Sequence, residues 1–157
     1  MKTRMFGLFI YILLLLMQLS FGSCPDGWMR HDSTCYHFSH DTEAMLVAKL
    51  SCQVLGGALL EIETAAENAY IAGYIKDKYS YYYIGLNDIQ EEGVWVWVES
   101  SSSASYLNWR PNEPNSVGND ENCVVIDKNS GQWLDVACHN FFHYICEKKD
   151  GDAEIIG

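Results

Sequence analysis

The sequence predicts an α+β domain, because two segments with helical periodicity precede most of the short strand-like segments. The helical segments lie between residues 41 and 77, and aromatic and β-branched residues become frequent after Tyr79. Six cysteines lie beyond residue 22, which indicates a disulfide-bonded domain. The length of 157 residues suits one domain, or one domain plus a processed segment.

The first 22 residues predict a secretory leader. Two basic side chains precede an apolar run over residues 6–16, and small residues Ser20 and Gly22 stand before a cut after Gly22. The alternative is an uncleaved membrane anchor, but the run is short for a span of about 20 residues. We therefore expect a secreted, extracellular protein without membrane insertion, a domain over residues 23–149 and a frayed tail over residues 150–157.

Two helices are predicted. The first begins at Asp41 or Thr42 and ends at Leu55, before Gly56 and Gly57. Its predicted buried face repeats every three or four residues and consists of Met45, Ala48, Cys52 and Leu55. The second helix begins at Thr64, where Glu67 completes a capping-box pattern, and ends near Asp77. Ala72 and Ile75 are its expected core contacts.

Seven short strands are predicted from aromatic and β-branched composition, at residues 34–38, 58–62, 81–86, 94–98, 123–127, 132–136 and 142–147. Between residues 100 and 120 lies a long segment without period, rich in Ser, Asn and Gly. Loops of that length in a compact domain are usually functional or disordered.

This long loop and the strands after it are rich in oxygen ligands. They are Glu113, Asn115, Asp120, Glu121, Asn122, Asp127 and Asp135. Carboxylate and amide oxygens suit Ca²⁺, which takes six to eight such ligands. The alternative is a solvated acidic loop. Two features favour a folded loop over a solvated acidic one. Asn and Pro alternate with the acidic residues, and the cluster is flanked by Trp109 and Trp133.

Charge and motifs exclude several classes of function. The net charge of -11 argues against nucleic acid and against anionic membrane surfaces. No nucleophile elbow, Gly-rich phosphate loop or H-E-x-x-H motif occurs, so we expect no enzymatic activity. The six cysteines allow 15 pairings, among which spacing alone does not choose.

The chain resembles long-form C-type lectin domains from Cys24 to Glu147. The matching segments are CPDGW at 24–28, YIGL at 83–86, GVWVW at 93–97, LNW at 107–109, EPN at 113–115, ENC at 121–123, WLD at 133–135 and YICE at 144–147. Without a stalk, collagen-like or heptad segment, it is similar to the small secreted perlucin-like lectins of invertebrates. The resemblance implies the pairs Cys24–Cys35, Cys52–Cys146 and Cys123–Cys138.

The resemblance also implies calcium ligands. Glu113, Asn115, Glu121 and Asp135 match the family's main site, which also binds the sugar, and the bond before Pro114 is cis in the family. Leu134 departs from the pattern, because the family usually has Asn there. An accessory calcium site would use Asp88 and Glu92, with Glu121 shared. Ser116 and Asn122 stand where the family often has acids, and Asn122 is counted among the candidate ligands. The alternative is that Asp88 and Glu92 are ordinary acids of a turn.

Two functions follow as expectations. The first is calcium-dependent binding of mannose-, glucose- or fucose-type glycans in innate recognition or agglutination, since Glu-Pro-Asn is typical of that specificity. The second is a calcium-independent lectin-like domain that binds protein or mineral matrix, which the acidic composition and Leu134 favour. A homodimer, if formed, must use the surface of the domain itself.

Overall fold

A computed structural model describes residues 24–78 and 81–150. The predicted leader at residues 1–22 and the tail beyond Asp150 lie outside the described residues. The described part confirms the α+β class, with two helices, eight strands and one short 3-10 helix. Neither described helix, of 10 and 11 residues, is long and apolar enough to cross a membrane.

The strands are β1 Met29–His31, β2 Thr34–Phe38, β3 Ala58–Leu59, β4 Tyr81–Asn87, β5 Val96–Trp97, β6 Cys123–Asp127, β7 Trp133–Val136 and β8 His143–Lys149. They form one sheet in the order β1-β2-β8-β4-β6-β7, with β3 beside β8 and β5 beside β4. All pairs are antiparallel except β4 and β8, in which Tyr82 lies opposite His143. Strand β2 lies between β1 and β8, so the beginning and the end of the described chain share one side of the sheet.

The central strands are buried on both faces, which explains their nearly continuous apolar composition. Tyr82 and Ile126 belong to one core cluster, whereas Tyr83 and Val125 belong to a second cluster on the other face. Helix α1 (Met45–Val54) covers the second cluster and helix α2 (Ala65–Ile75) covers the first. The side chains of the long loop pack on the cluster under α2, with Trp109 among them.

Helix α1 begins at Met45, so the predicted start at Asp41 or Thr42 is wrong. Glu43 instead pairs with Phe142, with N–H to O distances of 2.9 and 3.1 Å in the two directions. This bridge keeps Glu43 out of the helix, and Ala44, which precedes the first helical residue, has extended backbone. Leu55 was expected in the buried face, but it follows the helix end and is exposed.

Helix α2 begins as predicted. The Thr64 hydroxyl accepts the backbone N–H of Glu67 at 3.1 Å, which satisfies one of the free donors of the first turn. The Glu67 carboxylate accepts the N–H of Glu63 and the hydroxyl of Tyr36. The cap therefore also ties the helix to β2. Ile75 is buried as expected, while Ala72 is half-buried.

The three disulfides confirm the pairing implied by the resemblance, Cys24–Cys35, Cys52–Cys146 and Cys123–Cys138. The second joins α1 to β8 across 94 residues. Asp150 was predicted to lie in a frayed tail, but its carboxylate pairs with Arg30 at 2.7 Å and its N–H donates to Ser33. These contacts make it the end of the β1–β2–β8 layer.

Candidate functional site

The stem of the long loop lies beside β7. The backbone of Trp133 donates to the carbonyl of Asn108 and accepts the N–H of Arg110, both at 2.8 Å. Trp133 is fully buried, and Trp109 packs edge-on to it. The loop therefore begins from a rigid strand, which is the requirement for a loop that holds a site.

Residues 110–113 form a tight turn, closed by a 3.0 Å hydrogen bond from the Glu113 N–H to the Arg110 carbonyl. Pro111 is its second residue, and Asn112 adopts a φ of 71° at its third. Pro followed by a residue with positive φ is typical of a type II turn. The turn places Arg110 and Glu113 side by side, and the next peptide bond, Glu113–Pro114, is cis as the resemblance implied.

The buried carboxylate of Asp135 holds the segment after this turn. It accepts the Asn115 N–H at 3.1 Å and the Ser116 N–H at 2.6 Å. Asp135 is only 2% exposed and lies on β7. Three of the predicted ligands, Glu113, Asn115 and Asp135, are therefore brought together.

Glu121 joins the same network through the backbone of Val117. The Val117 N–H donates to the Asn115 side-chain oxygen at 3.1 Å and to Glu121 Oε2 at 2.9 Å. All four residues predicted for the main site thus share one hydrogen-bond network. Between them, Ser116, Gly118 and Asn119 have positive φ.

Two acidic groups meet at the centre of the network. Burial raises the pKa of Glu113, and the neighbouring Asp135 carboxyl raises it further, whereas the Arg110 guanidinium opposes the shift. Arg110 Nη2 lies 3.1 Å from Glu113 Oε1, and the Asn115 amide donates to Glu113 Oε2. Both oxygens of Glu113 therefore have N–H partners.

The residues predicted for the accessory site lie beside this network. Asp88 is buried, accepts the Gly93 N–H at 2.8 Å, and leaves its other carboxylate oxygen without a hydrogen-bond partner. Burial raises the pKa of Asp88, and the charges of Glu92 and Asp135 add to the rise. Asn122 contributes its backbone carbonyl, which accepts the Asp88 N–H.

The donor set fits a hard cation such as Ca²⁺, because it consists of carboxylate and amide oxygens and includes one unpaired buried oxygen. Within residues 24–78 and 81–150, however, no three loop carboxylates lie within 4.8 Å of one another. Among the described residues, one group does lie within this distance, and it consists of Cys24, Cys35 and Asp150. Its two sulfurs form a disulfide bond and are therefore not thiolate ligands. Metal binding at the loop would require its side chains to draw together.

The side chain of Leu134 has no oxygen to offer the site. It is half-buried and packs against the cluster that contains Val125 and Val136. Of the two tryptophans on the predicted strand 94–98, Trp97 is buried in the core and Trp95 packs against Trp109. A pocket of about 360 Å³, lined by Phe38 and Tyr74 among others, contains none of the predicted ligands.

Sequence reasoning missed Arg110 and the backbone of Ser116 and Val117. Arg110 stands three residues before Glu113 around a Pro-Asn turn, and that spacing could have indicated the ion pair. The two backbone donors carry no sequence signal, because any residue except proline offers the same N–H group.

Comparison with known proteins agrees with this architecture. A family model described as "Lectin C-type domain" matches residues 41–148. A perlucin-like protein of Mytilus galloprovincialis is 35% identical over 129 residues, covering 79% of this chain and 82% of that protein. The chain spans only 37% of another relative, the low affinity immunoglobulin epsilon Fc receptor of Mus musculus, at 35% identity.

Two solved structures illustrate the range of this fold. The cow C-type carbohydrate-recognition domain of CD23, solved in the presence of GlcNAc2Man3 oligosaccharide, is 29% identical with a TM-score of 0.75, covering 82% of this chain and 97% of that one. A calcium-independent type II antifreeze protein is 26% identical with a TM-score of 0.72, covering 82% and 95%. Since the family model spans most of the described domain and the mussel relative matches over most of both lengths, the chain belongs to the C-type lectin domain family, whose domains bind ligands and are not enzymes.

Proposed function

We propose that this chain is a secreted lectin that binds carbohydrate in a calcium-dependent manner through Glu113, Asn115, Glu121 and Asp135. The observation that carries the proposal is the buried Asp135 carboxylate, which holds the backbone of Asn115 and Ser116 against β7. This contact anchors the loop segment that carries Glu113 and Asn115 to β7. Three disulfides agree with an oxidising, extracellular location.

When bound, Ca²⁺ would supply open coordination positions for two neighbouring sugar hydroxyls. Around it, the carboxylates of Glu113 and Glu121 would accept hydrogen bonds from those hydroxyls. The Asn115 amide would donate through its nitrogen while its oxygen faced the cation. Asp88, Glu92 and Asn122 would hold an accessory ion beside this site.

We favour mannose-, glucose- or fucose-type glycans, because Glu113 and Asn115 follow the order of acceptor and amide that is typical of that class. The cow CD23 domain, solved with a mannose-containing oligosaccharide, supports this choice as a relative of the same fold. The biological role would be innate recognition or agglutination. Agglutination would require at least two sites, which a homodimer would provide; size-exclusion chromatography with light scattering tests that requirement.

The test is retention on immobilised mannose in calcium, followed by elution with EDTA. We expect the oxidised protein to be retained and released by the chelator, and Asp135→Asn to lose retention. Asp120→Asn is the matched control, since Asp120 is an exposed acid of the same loop with no place in the proposed ligand set. Absent retention, or retention that EDTA leaves unchanged, would overturn the proposal.

The double variant Glu113→Gln, Asn115→Asp tests the sugar class separately. It reverses the order of acid and amide, so we expect free galactose to compete for the variant better than free mannose does. An unchanged order of competition would show that these two residues do not set the preference.

A second candidate is calcium-independent binding of protein or mineral matrix. The ion pair between Arg110 and Glu113 favours it, because a basic side chain already neutralises a proposed ligand. Leu134 also favours it, and a calcium-independent antifreeze protein shares the fold. Adsorption to calcium carbonate that persists in the Asp135→Asn variant would support this candidate.

A further inference from the structure

Arg110 is placed to act on the proposed calcium site although it offers no metal ligand. Its Nη2 lies 3.1 Å from Glu113 Oε1, and the Glu113 side chain is only 7% exposed. Within the described residues, no other Lys or Arg forms an ion pair with a residue proposed as a calcium ligand. We infer that Arg110 is an internal counter-cation that holds Glu113 when calcium is absent and competes with the metal for that carboxylate. The inference rests on the proposed function.

The backbone holds Arg110 in this position. Its N–H donates to the Trp133 carbonyl at 2.8 Å, and its own carbonyl accepts the Glu113 N–H at 3.0 Å. Pro111 restricts the turn between them, because its ring fixes φ near −65°. The backbone therefore keeps the Arg110 and Glu113 side chains next to each other, and their ion pair closes the same turn.

The charges around Glu113 explain why a cation is needed there. Its carboxyl lies beside the buried Asp135, so two acidic groups share a poorly solvated place. Burying neighbouring carboxylates is unfavourable unless a positive charge compensates them. Arg110 supplies one positive charge, and a bound Ca²⁺ would supply two at the same carboxylate.

The two cations would repel each other. Arg110 is more than a third exposed, so water screens much of this repulsion. Because the guanidinium itself is in contact with water, the penalty that remains at a separation of several ångströms corresponds to about a three- to tenfold loss of calcium affinity. Removing the guanidinium should therefore tighten calcium binding, whereas loss of a purely structural contact would loosen the loop and weaken it.

The experiment compares wild type, Arg110→Gln and a charge-matched control, Arg30→Gln. Arg30 pairs with Asp150 in the β1–β2–β8 layer, so its removal changes net charge equally without touching the loop. Calcium affinity is measured by isothermal titration calorimetry at low and high salt, and thermal unfolding is measured in EDTA. We expect Arg110→Gln to bind calcium about three- to tenfold more tightly at low salt, with a smaller gain at high salt. We also expect it to melt at a lower temperature in EDTA.

Each result has a separate meaning. Equal or weaker calcium affinity in Arg110→Gln, with wild type binding calcium, overturns the inference and leaves the proposed function standing. The same gain in Arg30→Gln also overturns it, because net charge would then explain the effect. Calcium binding by Arg110→Gln but not by wild type supports the competition and removes calcium from the proposed function. Binding by neither protein overturns both.

Discussion

Trp133 donates its indole N–H to the side-chain oxygen of Asn68 across 2.8 Å, although the two residues are 65 positions apart. The Asn68 amide in turn donates to the Gly131 carbonyl at 2.9 Å. Both side chains are buried, so this pair connects helix α2 to the start of β7. Because the backbone of Trp133 also holds the stem of the long loop, the connection positions the candidate site.

Asn68→Ala should destabilise the domain by about 2–3 kcal/mol, because it leaves the buried Trp133 N–H without an acceptor. Urea unfolding followed by tryptophan fluorescence measures the loss. Asn140→Ala is the control, since Asn140 is exposed and should change stability by less than about 0.5 kcal/mol. Similar losses in both variants would refute the role given to Asn68.

Gly131→Ala should destabilise the domain by more than Gly118→Ala. Both glycines have positive φ, 66° and 71°, so alanine is strained at either position. Only at Gly131 would a new Cβ also lie 2.5 Å from the Cβ of Ala72. We expect a cost of about 1 kcal/mol for Gly118→Ala and about 1–3 kcal/mol more for Gly131→Ala. Equal melting temperatures for the two variants would show that α2 shifts away from this contact at little cost in stability.

Removal of Cys52–Cys146 should cost more stability than removal of Cys123–Cys138. The first bridge spans 94 residues and the second 15. Chain entropy then assigns about 4–5 kcal/mol to the first and about 3 kcal/mol to the second. Chemical denaturation of the two paired Cys→Ala variants measures the difference, and the reverse order would mean that packing outweighs loop closure here.

The stability of the domain should depend on pH through Glu147. Burial raises the pKa of Glu147 to about 7, against an ordinary value of 4.5, even though its carboxylate accepts the Glu61 N–H. A raised folded-state pKa contributes stability that is complete below about pH 4.5 and is lost as the pH rises through about 7. Glu147→Gln lacks this loss, so its stability relative to wild type should rise with pH.

Between about pH 4.5 and pH 7, the free energy of unfolding of Glu147→Gln should rise relative to that of wild type by on the order of 2 kcal/mol. This figure allows for the partial exposure of the side chain. It is measured as the difference in unfolding free energy across pH 4–8 in EDTA, with the exposed-acid variant Glu91→Gln as control. A difference between Glu147→Gln and wild type that stays constant with pH would show that Glu147 titrates normally.

Leu134→Asn should tighten calcium binding, because it restores an amide oxygen that the family usually has at this position. It should also cost about 1 kcal/mol of stability, since Leu134 packs against the core cluster beside Val125. Calorimetric titration with calcium and thermal unfolding in EDTA separate the two effects. Unchanged or weaker calcium affinity in the variant would show that the amide missing at position 134 does not limit calcium binding.

Most of the secondary structure could be predicted because its signals are local. The cap of α2 depends on Thr64 and Glu67, three residues apart, and β2 and β6 have the predicted bounds. The start of α1 could not be predicted, because Asp41 and Thr42 offer good caps but Glu43 pairs with the distant Phe142. Strand β1 could not be predicted for the same reason. It forms because it pairs with β2, and its own composition does not favour a strand.

The sequence by itself determined the fold class, the long loop and the acidic and amide residues that it carries, since composition and periodicity over neighbouring positions are sufficient for these. Only the tertiary structure decided that Asp135 holds Asn115 and Ser116, and that Arg110 faces Glu113. The physical reason is that a carboxylate accepts a hydrogen bond from any donor that the fold brings near it, and the sequence does not show which donor that is. The donors that reach it are set by the turn at residues 110–113 and by the strand beneath it.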